Sequence, residues 1–295
     1  MEQLRHTPDE LPEWNESYYF NFYDPHEDIG GFTRIGYKPN ITEGTGYLFL
    51  FYRGDILVFH HHKAITAVPD LISMGGLEFI PEWKIRFSGS MQKMKSTSHT
   101  PVDVTVDLTY APLSAEFSYV DCVTSEELQR GRVVCEDHYE QIGIMKGNIT
   151  IDSQVYQVTG FSERDHSWGE RDWNAPRKWI YVTAHFDRDF AINIATMDLG
   201  TTHIDVGFIF HHGENIPVDS ICETTISDKG QQTSFHYDIE DVQGNSYIIE
   251  GEVLNTVHIP YERQGRLSIL HENLARFTCE GKEGYGIAEY LIRKN

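Results

Sequence analysis

Apolar and turn-forming residues in this chain alternate on the short period of β-strands, and almost no stretch of ten residues reads as a helix. Val102-Asp103-Val104-Thr105-Val106-Asp107-Leu108-Thr109-Tyr110 repeats with period two, which describes a strand with one wet face. Residues 47–53 and 56–59 flank Gly54-Asp55, and residues 147–151 and 155–158 flank Asp152-Ser153, both as hairpins. Residues 179–186 and 190–196 pair across Asp187-Arg188-Asp189, where Asp187 reads equally as a turn residue. Strands then recur at a spacing of about ten residues, and residues 275–290 read as a closing strand. A polar connection is expected at 88–101 and a short helical turn at 125–130. The fold class is all-β, of barrel or sandwich type.

A chain of 295 residues has room for one large or two ordinary domains, and an apolar fraction of 40% is enough for a core. We place two consecutive domains at residues 1–145 and 146–295, although no Pro/Ser linker marks the boundary. Lys+Arg 24 against Asp+Glu 45 gives a formal charge of -21, which repels phosphate backbones and anionic lipid and excludes nucleic acid as a partner. No run of about 18 apolar residues is present and the first residues lack a signal-peptide pattern, so a cytoplasmic protein with no stable membrane insertion is expected. Cys122, Cys135, Cys222 and Cys279 are scattered, as buried free thiols are. Aromatic residues at 13% suit pleated sheets, and an aromatic-lined cavity for an apolar ligand would account for more of them.

The chemistry concentrates in Gly160-Phe161-Ser162-Glu163-Arg164-Asp165-His166-Ser167-Trp168-Gly169-Glu170-Arg171-Asp172-Trp173-Asn174. Asp165 and Asp172 each follow an arginine, which lowers a carboxyl pKa, and each lies near an indole, which raises it by desolvation. A carboxyl kept protonated can deliver a proton; an ionised one only holds the arginine. On an extended strand Asp165 and Ser167 take one face while His166 and Trp168 take the other. Ser167, His166 and Asp165 are too close in sequence to converge as a hydrolase triad. A metal would need further ligands, of which His185 and Asp187 are the nearest, so no metal is expected. An Arg-Asp ladder with packed tryptophans at a barrel end is the plain structural alternative. Upstream, Trp14 to Tyr23 is aromatic on both faces, and Glu16 inside it needs a partner if buried.

Asp165-His166-Ser167-Trp168-Gly169, repeated in part as Arg171-Asp172-Trp173, resembles the Asp-His-x-Trp-Gly signature of the AttH-like and carotenoid 1,2-hydratase (hydroxyneurosporene synthase) superfamily. The longer Arg-Asp-His-Ser-Trp-Gly-x-Arg-Asp-Trp form, with Trp14-Asn15-Glu16-Ser17-Tyr18-Tyr19 and His138-Tyr139-Glu140-Gln141, is similar to a bacterial branch of it. The resemblance implies two lipocalin-like antiparallel β-domains and addition of water to an isoprenoid double bond without a cofactor. It implies roles for His166 and Trp168. The family's downstream Tyr-x-Asp pair is matched here only by His185-Phe186-Asp187, with histidine in place of tyrosine.

The expected function is a cofactor-independent, acid-catalysed hydratase, cyclase or isomerase acting on a C=C bond of an apolar isoprenoid or terpenoid. Asp165, Asp172 and Asp187 are the donor candidates in that order, with His166 and Trp168 completing the catalytic set and Arg164 and Arg171 supporting it. Trp173, Tyr181, His185, Glu16 and Tyr18 are the candidate substrate-binding residues, and Trp168 and Trp173 would stabilise a carbocation. A lipocalin-like binder without chemistry and a pericyclase are the alternatives, and a homodimer is compatible with either.

Overall fold

The computed structural model describes residues 5–94, 101–122, 137–200 and 202–294. In chain order the strands are β1 (Trp14–Asp24), β2 (Ile29–Lys38), β3 (Glu43–Tyr52), β4 (Asp55–Lys63), β5 (Ile72–Met74), β6 (Leu77–Ile80), β7 (Lys84–Lys93), β8 (Val102–Pro112), β9 (Phe117–Ser118) and β10 (Asp137–Ile151). They continue as β11 (Gln154–Glu170), β12 (Lys178–His185), β13 (Phe190–Asp198), β14 (His203–His211), β15 (Glu214–Asp228), β16 (Gln231–Asp241), β17 (Ser246–Arg263), β18 (Arg266–Cys279) and β19 (Lys282–Lys294). Two 3-10 turns, Pro39–Ile41 and Tyr119–Cys122, complete the described residues, which contain no α-helix. The helical turn expected at 125–130 lies outside them.

The strands form two compact units, Met1–Leu113 with Cys135–Arg171 and Ser114–Val134 with Asp172–Asn295. The division therefore falls after Arg171 and not near residue 145, and the motif strand belongs to the first unit. The reason is pairing: β10 and β11 form a hairpin that inserts between β1 and β8, so the chain past residue 145 is sheet partner to its own beginning. No change of composition records that.

In the first unit the path β4-β3-β2-β1-β11-β10-β8-β7 is closed by Leu57↔Lys93 and Val58↔Gln92, with the β5–β6 hairpin added on β7. β8 alternates buried and exposed along its length, as its sequence predicts, whereas β1 is buried on both faces. Strand β7 continues to Lys93, so most of the connection expected at 88–101 up to that point is ladder. The β3–β4 turn is Arg53-Gly54, both at positive φ, one residue earlier than the Gly54-Asp55 reading. The second unit is a closed barrel, β12 through β19 in order, with β19 closing onto β12.

Gly160 shows how tightly the motif strand is held. A Cβ there would lie 2.4 Å from the Tyr23 carbonyl oxygen and 3.0 Å from the Asp24 nitrogen, both backbone. Gly160→Ala must therefore push β1 away from β11, and we expect it to cost about 1–3 kcal/mol in urea unfolding of the full chain.

Candidate functional site

Strand β11 lies between β1 and β10, and residues directly opposite on neighbouring strands share a face. Glu16 pairs with Trp168, Tyr18 with His166 and Phe20 with Arg164, and these side chains face the apolar core that contains Tyr18 and Phe20. Ser17 pairs with Ser167 and Tyr19 with Asp165 on one side, while His138 pairs with Ser167 and Glu140 with Asp165 on the other; these face the opposite way. Asp165 and His166 thus part company as period two requires, and they do not act as one acid–base pair.

On the core-facing side Glu16 and His166 are both fully buried. His166 Nε2 donates to Glu16 Oε1 at 2.7 Å, His6 Nδ1 lies 3.0 Å from the same oxygen, and the His6 backbone N–H donates to Oε2 at 2.7 Å. Burial pushes the Glu16 carboxyl up, but hydrogen bonds from His166 and His6 and the His166 charge outweigh it and hold the group below its ordinary value. The His6 ring stacks on Trp168 at 3.6 Å, and Tyr18 stacks on His166 at 4.5 Å. Arg164 donates to Gln141 Oε1 at 3.0 and 3.2 Å and lies over the Trp83 ring at 4.8 Å. It therefore does not support Asp165, which is on the other face.

On that other face His138 Nε2 is 2.9 Å from Glu140 Oε1 and 3.1 Å from Asp165 Oδ2. Glu140 is fully buried, and the Asp165 side chain is 18% exposed with its Oδ1 buried and unpartnered. Burial raises the Asp165 pKa, yet the charge and hydrogen bond of His138, with Arg171 and Arg34 behind them, hold it below the ordinary carboxylate value. Asp165 is thus an ionised acceptor at neutral pH and not the proton donor expected from sequence. Arg171 donates to Ser167 Oγ, and Ser17 and Ser167 hydroxyls meet at 3.0 Å.

The remaining candidates are elsewhere, all in the second unit. Asp172 is bound by Arg266 at 3.1 Å and accepts from the Asn174 backbone at 2.9 Å, so it is a turn residue and not a partner of Arg171. Asp187 accepts from the Asp189 backbone at 2.8 Å and from Lys282 at 2.6 Å, and the latter contact is exposed. Backbone and lysine hydrogen bonds overcome desolvation and lower its pKa, which removes it as a donor. Trp173 stacks on Tyr261 at 5.2 Å. Tyr181 and His185 are both buried on one face of β12, and burial pushes His185 down to about 3, so it stays neutral. Of the cysteines, Cys279 is buried as expected, but Cys222 is exposed.

Among the described residues, two histidine–carboxylate sets have the spacing to hold an ion: His6, Glu16 and His166, and His138, Glu140 and Asp165, each with its ligand atoms within 4.8 Å. In the second set the positive charges of Arg171 and Arg34 act on Asp165 and disfavour a divalent cation. In the first, one carboxylate oxygen already receives both imidazoles.

A profile described as "Domain of unknown function (DUF7064)" matches residues 2–294. The chain belongs to the DUF7064 family. No curated protein matches it. Among solved structures, this DUF7064 chain is similar to a Nitrosomonas europaea protein provisionally assigned as AttH, at 13% identity and a TM-score of 0.65 over 94% of this chain and 92% of that one. Kievitone hydratase from Nectria haematococca is similar at 11% identity and a TM-score of 0.61, covering 95% and 89%. CghA is similar at 9% identity and a TM-score of 0.58, covering 95% and 88%. These likenesses establish the fold as AttH-like, as the motif resemblance implies.

Sequence reasoning passed over His6, which lies in a polar lead-in, and gave His138 and Glu140 no chemical part. The His-x-Glu spacing of the latter two on a strand was the available signal, since alternate residues share a face.

Proposed function

We propose that this DUF7064 protein is an enzyme that moves protons on an apolar, isoprenoid-like molecule, by hydration, double-bond shift or ring closure, without a cofactor. The observation that carries the reading is the His138–Glu140–Asp165 cluster: a carboxylate kept ionised, one oxygen on an imidazole, the other buried and unpartnered. The proton that makes the cation comes from the His138 imidazolium, whose charge acts on Asp165; Asp165 takes a proton from a water as that water's oxygen bonds to the cation, or from a carbon beside it when a double bond shifts, and returns it to His138, so that protons and charge balance. His138 then holds Asp165 in position and spreads the charge through Glu140. Kievitone hydratase and CghA, the second solved with Sch210972, share the fold and support the reaction class.

Incubation of the full chain with geraniol in D2O, read by mass spectrometry for deuterium on carbon and for added water, tests this. Asp165→Asn is expected to lower the rate about 10²–10⁴-fold with the near-UV circular dichroism unchanged. A folded Asp165→Asn protein that turns over like the parent would sink the reading. A parent that binds geraniol and returns it unlabelled leaves a binder without chemistry.

A further inference from the structure

The inward face of the second barrel is not wholly apolar. Across β12, β19, β18 and β17, Ile180 pairs with Tyr290, Tyr290 with His271 and His271 with His258, so these four side chains form one row on that face. Ile180 and Tyr290 belong to the barrel core. The next row holds Ile292, Ile269 and Pro260 and lies toward the barrel end, where the two isoleucines are half-buried and the proline is exposed.

His271 is 4% exposed, and among the described residues neither of its ring nitrogens has a hydrogen-bond partner. Tyr290 beside it does not serve, because its hydroxyl is engaged by Tyr237 at 2.6 Å and Thr225 at 2.8 Å. On the other side His258 is exposed and meets His271 edge to face, with ring centroids 4.6 Å apart. The row therefore runs from the core to solvent with His271 just inside it. A buried polar group without a partner is rare in folded proteins and needs a reason. Beyond burial, the charges that act on His271 are those of His258 and Lys294, both positive, in a chain whose formal charge is -21. Lys294 is exposed and acts on His258 in the same sense.

We propose that this end of the second barrel seats the carboxylate of an otherwise apolar acid, one oxygen accepting from a His271 ring N–H while the apolar part lies on Ile269 and Ile292. A carboxylate fits because it only accepts and because it brings the negative charge that His271, His258 and Lys294 lack. An alcohol would make the hydrogen bond and leave the three cationic side chains uncompensated. The site lies within the second unit, and the proposal does not depend on the proton-transfer reading of the first.

Equilibrium dialysis of the full chain at pH 7 against geranic acid and against geraniol, which share a skeleton and differ in the charged end, tests it. The parent should hold the acid about tenfold or more tighter than the alcohol. His271→Leu should remove about tenfold of geranic acid affinity and leave geraniol unchanged, as the loss of one charge-assisted hydrogen bond does. Lys294→Gln changes an exposed side chain and leaves the core intact; it should weaken the acid by about threefold, a difference that salt screens away. His271→Gln keeps an N–H donor at the site and should retain most of the preference, which guards against a folding artefact. Equal binding of acid and alcohol by the parent, no saturable binding of geranic acid, or unchanged acid affinity in both His271→Leu and Lys294→Gln overturns the proposal. Acetate that displaces geranic acid at equal concentration also overturns it, because the two isoleucines would then hold nothing.

Discussion

Glu16→Ala is expected to destabilise the first unit by about 3–5 kcal/mol, the cost of removing one partner from a buried charge pair. Glu16 has no exposure, and its two oxygens receive three hydrogen bonds from two histidines. Truncation leaves His166 buried without its carboxylate and frees the His6 backbone N–H, so the His6–Trp168 stack loses its anchor. Glu16→Gln keeps an acceptor in place and should cost about 1–3 kcal/mol. Urea unfolding followed by tryptophan fluorescence separates the two through their midpoints, provided the slope is unchanged. The pH dependence has a fixed sign. The folded pKa of Glu16 is depressed, so its contribution is present above the ordinary 4.5 and disappears as pH falls through the folded value. The deficit of Glu16→Ala should therefore shrink in acid. Equal midpoints for parent and Glu16→Ala at pH 7 would mean that burial of the pair costs as much as it returns, and the cluster would then have no structural role.

What could be read along the chain was what depends on neighbours in sequence. The alternation of Val102 to Tyr110 became an alternation of buried and exposed residues on β8, and the same rule placed Asp165 and His166 on opposite faces. The adjacent Arg164-Asp165 and Arg171-Asp172 pairs promised ion pairs that the structure does not make, because adjacent side chains on a strand point apart and β11 ends at Glu170. Arg171 acts on Asp165 instead.

The rest depends on register between distant strands. Glu16 meets His166 across a separation of 150 residues, and nothing in either segment names the other. The unit boundary was hidden for the same reason. The carboxyl held protonated is Glu272, which sits in no motif; only its pairing with Glu289 across β18 and β19, together with burial, makes it so. Asp165, with the most suggestive neighbours, is held ionised.

His185→Leu should flatten the acid limb of the second unit's stability curve, and Glu272→Gln its alkaline limb. His185 is buried and neutral with a pKa of about 3, and the unfolded chain binds a proton near 6.5. A histidine whose folded pKa is depressed withdraws stability as pH falls from 6.5 toward the folded value. The interval from 6.5 to 3 is 3.5 pH units, each about 1.4 kcal/mol, so the loss approaches about 5 kcal/mol as pH falls toward 3. His271, pushed down to about 4 by burial and then by His258 and Lys294, acts in the same direction. Glu272 has the opposite sign. Its folded pKa is raised, so its contribution is full below 4.5 and is lost as pH rises toward the folded value. Thermal unfolding at intervals from pH 4 to pH 8 should show His185→Leu gaining on the parent at pH 4 and Glu272→Gln gaining at pH 8. The comparison rests on slopes, so a constant packing penalty in either variant does not affect it. Curves parallel to the parent across that range would mean that both groups titrate in the folded protein as they do in the unfolded chain.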